Sequence, residues 1–250
     1  MTSDLHNDLR DPDPQLEIPN SVLAIGAHPD DIEFGAGATL ARWVTAGTAV
    51  AFVIVTDGSK GTWDPTRDPA DLATQRREEQ AAAAGIIGAR TVEHLDHVDG
   101  ELEYSMELRS VMAALVRRHR ASVVITHDPW QRYQLHPDHR TTGLAVVDGV
   151  VAARDPLFFP DHGLDHHRPD ALLLWSADEP DHVEPTTAAA LDTKVAALLC
   201  HSSQAETTMG AASSKPQERA AFAARIEAEA SRAGAPFGVG NAEVFKRLTP

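Results

Sequence analysis

Residues 24–37 read AIGAHPDDIEFGAG. An apolar run stops abruptly, and His28, Pro29, Asp30 and Asp31 follow without a spacer, with glycines at 35 and 37 behind them. The run starts earlier: SVLAIGA (21–27) is almost free of polar side chains. That suits a strand buried on both faces, as in a parallel sheet covered by helices. In open α/β sheets ligands collect beyond the carboxyl ends of the strands. The histidine and the two carboxylates stand at such an end.

Working outward, strand and helix patterns alternate. GAGATLARWVTAG (35–47) has helical spacing and stops at Gly47, a residue suited to ending a helix. AVAFVIVT (49–56) is a second buried-type strand, and residues 56–69 form a loop rich in Gly, Pro and Asp. A helix is predicted over 71–88, a short strand over 91–96 and an amphipathic helix over 101–120. SVVIT (122–126) is a further strand, the polar stretch HDPWQRYQLHPDHR (127–140) a loop, and 138–154 a helix. This βαβα order predicts an α/β fold, a Rossmann-like three-layer sandwich with a mostly parallel, doubly wound sheet. The C-terminal part reads as irregular: a loop over 154–170, a strand over 171–176, and helices over 186–199 and 214–234. Residues 1–20, acidic and Pro-rich, read as a flexible tail, and 21–250 as one domain.

The chain has 250 residues and a formal net charge of −15. That charge argues against nucleic acid or an anionic membrane surface as partner and fits a soluble protein that handles small molecules. Cys200 is the one cysteine, so no intrachain disulfide and no cysteine-rich zinc site can form. The first 20 residues have no apolar core like that of a signal peptide. No stretch approaches the 18 apolar residues of a membrane span, so no integral membrane association is expected. A cytoplasmic setting follows as the expectation. Homo-oligomerisation is left open.

A second cluster, HPDH (136–139), follows the 122–126 strand. Parallel strands would bring both clusters to one sheet edge. Two imidazoles and a carboxylate with open positions left over make a catalytic metal site. A carboxylate left free beside the metal could act as general base, and a spare histidine as electrostatic stabiliser or acid. Taken singly, each HPD turn also has a bland reading, in which the Asp caps the backbone N–H groups of the helix it opens.

AHPDD after a first strand, joined to HPDH after a later one, resembles the LmbE-like or PIG-L family of zinc-dependent N-deacetylases. The similarity extends to GAGATLARWVTAG with VAFVIVTDG, to RREEQAAAAGIIGA with Arg76 and Glu79 at its marked positions, and to LDHVDGEL, LCHSSQ (199–204) and NAEVFKRL (241–248). The resemblance implies that His28, Asp31 and His139 bind Zn2+, with Fe2+ as the other candidate. It implies that Asp30 is the base, that His136 stabilises the oxyanion or protonates the leaving amine, and that Asp138 orients His136. Arg76 would contact the sugar or a phosphate on it, and Asp99 its hydroxyls. The implied activity is removal of an N-acetyl group from an N-acetylated amino sugar or conjugate; the alternative is an amidase for a larger acyl or thiol-conjugate amide. One departure concerns a family tyrosine two residues before the first histidine of HPDH. Here Gln134 holds that position, with Tyr133 beside it.

Other features are weaker. GAGAT (35–39) lacks the spacing of a dinucleotide fingerprint, and its glycines are read as aids to close helix packing. GSKGT (58–62) is no P-loop, and Trp63 is a candidate sugar platform or lid residue. His127 and His201 could reach the site. His94, His97 and the DHGLDHH loop (161–167) are read as polar surface, and Arg117, Arg118 and Arg120 as a solvated helix end.

Overall fold

The computed structural model describes residues 16–210 and 215–250. Among them, seven strands form one sheet: β1 (Ser21–Gly26), β2 (Ala49–Thr56), β3 (Thr91–His97), β4 (Val123–His127), β5 (Ala171–Trp175), β6 (His182–Pro185) and β7 (Ala242–Leu248). The spatial order is β3-β2-β1-β4-β5-β7-β6. The first five run parallel, and β7 lies antiparallel to both β5 and β6. Six α-helices cover the sheet: α1 (Asp31–Thr45), α2 (Pro69–Ile87), α3 (Met106–His119), α4 (Pro137–Arg154), α5 (Ala188–Leu198) and α6 (Pro216–Gly234). One core packs α1, α2, α5 and α6 on one face, around Trp43, Phe52 and Phe245. The other packs α3 and α4 on the opposite face, around Leu23, Met112 and Leu115. Each such fully buried side chain stabilises the fold by about 1.5–3 kcal/mol.

The three-layer, mostly parallel α/β sandwich expected from the sequence is the fold observed. Chain direction across the sheet reverses between β1 and β4, which are direct neighbours in register from Val22 opposite Val123. Such a switch point opens a crevice at the carboxyl edge of the sheet.

The C-terminal part is more regular than expected. β7 inserts between β5 and β6, neither β6 nor β7 being legible as a buried strand. β6 has four residues and ends in a proline, and Glu243, Lys246 and Arg247 interrupt the apolar pattern of β7. Glu243 is nevertheless buried. It accepts hydrogen bonds from the Ala38 and Thr39 N–H groups at 3.1 and 2.7 Å and pairs with Lys194 at 2.6 Å. It thereby ties the sheet extension to α1.

Three further readings change. α1 begins at Asp31, so Gly35 and Gly37 lie inside the helix instead of opening it. Arg117 is buried, and its guanidinium donates to the carbonyls of Ala152, Ala153, Asp155, Phe158 and Phe159, where the chain leaves α4. The expected loose tail is tied down in its last residues: the Leu16 N–H donates to Glu184 at 2.9 Å, and Thr48 Oγ1 donates to the Pro19 carbonyl at 2.7 Å. Residues 1–15 lie outside the described residues.

Candidate metal centre and active-site cavity

The chain leaves β1 at Gly26, and His28 follows on a turn closed by the Asp31 N–H on the His28 carbonyl at 3.3 Å. Asp30 precedes α1 with φ 101, a left-handed conformation costly for a residue with a side chain, and its carboxylate makes no capping bond to the helix. Its N–H is held by Gln80 Oε1 at 3.0 Å. Arg76 donates to the Pro29 carbonyl and lies 3.4 Å from the Asp30 carboxylate. The bland reading of Asp30 as a helix cap therefore does not describe it. The turn instead aims its carboxylate into a cavity.

The second cluster arrives from the neighbouring strand through α4. His139 Nε2 lies 3.2 Å from His28 Nδ1 and 3.2 Å from Asp31 Oδ1, while His28 Nδ1 is 3.3 Å from Asp31 Oδ2. Four-coordinate Zn2+ with ligands at 2.0–2.2 Å holds its donor atoms about 3.3 Å apart. His28 Nδ1, His139 Nε2 and the Asp31 carboxylate are thus grouped at about the spacing such an ion needs. Burial alone would raise the pKa of Asp31, but His139 and His127 hold its carboxyl well below the usual range. It is a charged donor, as metal ligation requires.

The other ring nitrogen of His28 faces two more carboxylates, with Nε2 3.1 Å from Asp99 and 3.2 Å from Asp138. This corrects the expectation for Asp138. Its carboxylate does not orient His136: it bonds His28 and accepts from the Gly100 and Leu102 N–H groups at 2.7 and 3.4 Å. A carboxylate on the far nitrogen of a ligating histidine fixes the ring and raises its basicity. Burial would raise Asp99, but hydrogen bonding to His28 brings it down to about 2. The Lys60 N–H occupies its second oxygen.

His136 caps α4, its Nδ1 accepting from the Asp138 N–H at 3.3 Å. The ring proton of the neutral form is therefore on Nε2. Burial and the neighbouring His28 and His139 lower its pKa, which favours that neutral form. Asp30 behaves oppositely: burial, reinforced by Asp31 and opposed by Arg76, pushes it up to about 7. A carboxyl tuned near neutrality is suited to taking a proton.

The cavity holds 260 Å³ and is lined by His28, Asp30, Asp31, Asp99, His136 and His139 together with Lys60, Trp63 and Arg76. All eight site residues named from the sequence converge here, with Asp138 just behind His28. Arg76 is buried with its guanidinium on the Gly58 and Pro29 carbonyls and Asp30, and Lys60 is paired with Glu101 at 2.6 Å. Glu79, three positions after Arg76, anchors Ser202 and Ser203, and Gln204 then donates to the Gly61 carbonyl at 3.0 Å. The late HSSQ segment thereby fastens the loop that forms one cavity wall.

Sequence reading missed Gln80 and Glu33. Gln80 donates to Glu33 at 2.6 Å, and burial pushes Glu33 up to about 8. Only the helical spacing of Arg76 and Gln80 hinted at them. His201 is fully buried, 3.8 Å from Glu33 and outside the cavity lining. His127 is buried against Asp31 and has no place in the lining either. Tyr133 is 86% exposed, and neither it nor Gln134 lines the cavity. His94 lines a separate surface pocket, and His162 and His167 bond Ser110 and the Ala121 carbonyl.

Comparison with known proteins agrees with this geometry. Residues 23–150 match the PIG-L family, described as GlcNAc-PI de-N-acetylase, and that span contains both histidine–carboxylate turns. Diacetylchitobiose deacetylase of Thermococcus kodakarensis is 34% identical over 186 residues, covering 73% of this chain and 69% of the relative. A Kineococcus radiotolerans 1D-myo-inositol 2-acetamido-2-deoxy-alpha-D-glucopyranoside deacetylase is 32% identical over 56% of this chain, which matches 47% of that enzyme's length. The structure of N,N'-diacetylchitobiose deacetylase from Pyrococcus horikoshii superposes with a TM-score of 0.82 at 28% identity, over 92% of this chain and 84% of that one. GalB, a 4-carboxy-2-hydroxymuconate hydratase from Pseudomonas putida KT2440, shares the fold at 20% identity and a TM-score of 0.73. The fold by itself therefore does not select a reaction. The family match across both turns, together with a 34%-identical deacetylase covering 73% of the chain, shows that this protein belongs to the PIG-L, GlcNAc-PI de-N-acetylase family.

Proposed function

We propose that this protein is a metal-dependent N-deacetylase acting on a neutral N-acetylated amino-sugar glycoside. One observation carries the reading: His28, His139 and the two oxygens of the Asp31 carboxylate bring donor atoms within 3.2–3.3 Å of one another, and a second carboxylate, Asp30, stands apart from them in the same cavity. Two imidazoles and a carboxylate suit Zn2+, and Fe2+ as well. His28, Asp31 and His139 would hold the ion. When bound, it supplies Lewis acidity, acidifying a water and polarising the amide carbonyl.

The remaining chemistry belongs to the chain. Asp30, held by Gln80 and Arg76, takes the proton of the attacking water and passes it towards the leaving nitrogen. His136 presents Nε2–H to the charge that develops on the carbonyl oxygen. Asp138 and Asp99 hold His28 through its outer nitrogen. Acetate and a free amine leave.

Charge on the cavity wall supports a neutral sugar. Arg76 lies against Asp30, and Lys60 pairs with Glu101 at the exposed rim, so carboxylates of the chain itself balance the two cations on the wall. On this reading Arg76 holds Asp30 and the Pro29 turn, in place of the contact with the sugar or a phosphate on it that the resemblance implies. The exposed indole of Trp63 at the mouth offers a flat face on which a sugar ring can stack. A panel of neutral and anionic N-acetylated sugars, read by amine release, tests the proposal. It predicts turnover of neutral members that a chelator abolishes and Zn2+ restores. Chelator-resistant turnover, or turnover of anionic members alone, would contradict it.

A further inference from the structure

We infer that His127, held by Trp175, is a positioning residue that fixes the carboxylate of Asp31 for metal binding; the inference rests on the metal-site reading above. His127 and Trp175 end the adjacent parallel strands β4 and β5 and are paired in register. The indole Nε1 lies 3.1 Å from His127 Nδ1. An indole N–H can only donate, so Nδ1 must accept.

The opposite nitrogen, Nε2, lies 3.3 Å from Asp31 Oδ2 and 3.1 Å from the Ala27 N–H. A neutral ring has one acceptor, so both donors cannot be satisfied. With the proton on Nδ1, two contacts are repulsive: N–H meets the indole N–H, and a lone pair meets the carboxylate. With the proton on Nε2, the Ala27 N–H loses its acceptor, while the indole bond is kept and the ring N–H faces the charged Asp31 Oδ2 at 3.3 Å, an attraction that outweighs one neutral bond. The second arrangement is therefore the favoured one.

Two consequences follow. Asp31 Oδ2 receives both this donor and the His28 N–H at 2.6 Å, which leaves Oδ1, on the His139 side, for the cation. And His127 cannot itself be a ligand, because a ligating nitrogen carries no proton and the ring's free nitrogen is taken by the indole. Its ring also stacks on His139 at 4.3 Å, backing a second ligand. Trp175 is in turn seated against Gly35 of α1, where a Cβ would fall 2.4 Å from the indole. Gly35, Trp175, His127 and Asp31 form one supporting line.

Zn2+ dissociation constants, measured by competition with a chromophoric chelator, test the inference on the full chain and four variants. His127→Phe keeps a ring but no N–H, and is expected to bind about 10–100-fold more weakly. His127→Gln, which can return an N–H, should regain part of that loss, and Trp175→Phe should weaken binding several-fold. His139→Ala, losing a ligand, sets the scale of complete loss. Affinity of His127→Phe within twofold of the parent would overturn the inference. So would a folded His127→Phe protein that binds as poorly as His139→Ala, since that would make His127 a ligand. If His127→Phe fails to fold, unchanged affinity in Trp175→Phe overturns the inference and a several-fold loss supports it. A parent chain that binds no divalent metal would instead defeat the metal-site reading.

Discussion

Two adjacent carboxylates in one turn have opposite surroundings, and that difference underlies the separate roles proposed for them. Asp31 sits among imidazoles that keep it charged, whereas burial leaves Asp30 near 7. A cation on the neighbouring triangle would pull Asp30 down, so kcat/KM should rise with pH along an acid limb at or below 7. A pH–rate profile checks this, and Asp30→Asn should lack the limb and lose about 10²–10⁴-fold in kcat. Glu33 carries a stability prediction. Its carboxyl is raised from 4.5 to about 8 in the fold, so between those values the unfolded chain is ionised while the folded one stays protonated. The contribution of Glu33 to stability is then greatest below 4.5 and falls as pH rises towards 8, by at most about 5 kcal/mol. Glu33→Gln should melt above the parent at pH 8, with the gap closing towards pH 5, as thermal melts of metal-free protein would show. That His28, Asp30, Asp31, His136 and His139 meet in one cavity was legible in the sequence, because their types and spacing mark two clusters at strand ends. Gln80, Glu33 and the His127–Trp175 contact were not. Those depend on side chains from separate elements meeting, and local pattern contains no trace of that.

At the scale of elements, parallel strands were legible and antiparallel ones were not. β1, β2 and β4 are uninterrupted apolar runs because helices cover both their faces. β7 carries a buried charge that works only because Lys194 and the α1 backbone meet it. Two helix glycines divide in the same way. Gly35 is required by contact with Trp175, so Gly35→Ala should destabilise by about 1–3 kcal/mol and weaken Zn2+ binding together. Gly85, on the exposed side of α2 with open space where a Cβ would sit, needs no such freedom. Gly85→Ala should stabilise by up to about 1 kcal/mol without touching the site. Denaturant melts of the pair check both.

For the molecule as a whole, the sheet order does what the sequence could only imply: it makes β1 and β4 neighbours, so turns separated by more than 100 residues close on one cavity. The described residues include no helix long and apolar enough to cross a membrane. Because the metal triangle joins β1, α1 and α4, a bound ion should stabilise the whole fold, and chelation should lower the thermal midpoint in proportion to RT ln(1 + [Zn2+]/Kd). The most direct test separates the two carboxylates by metal content per chain, measured beside amine release, in Asp30→Asn and Asp31→Asn. Asp30→Asn should retain its metal and lose turnover, while Asp31→Asn should lose the metal. An Asp30→Asn protein that turns over at the parent rate, or an Asp31→Asn protein that keeps its metal, would contradict the division of labour on which this account rests.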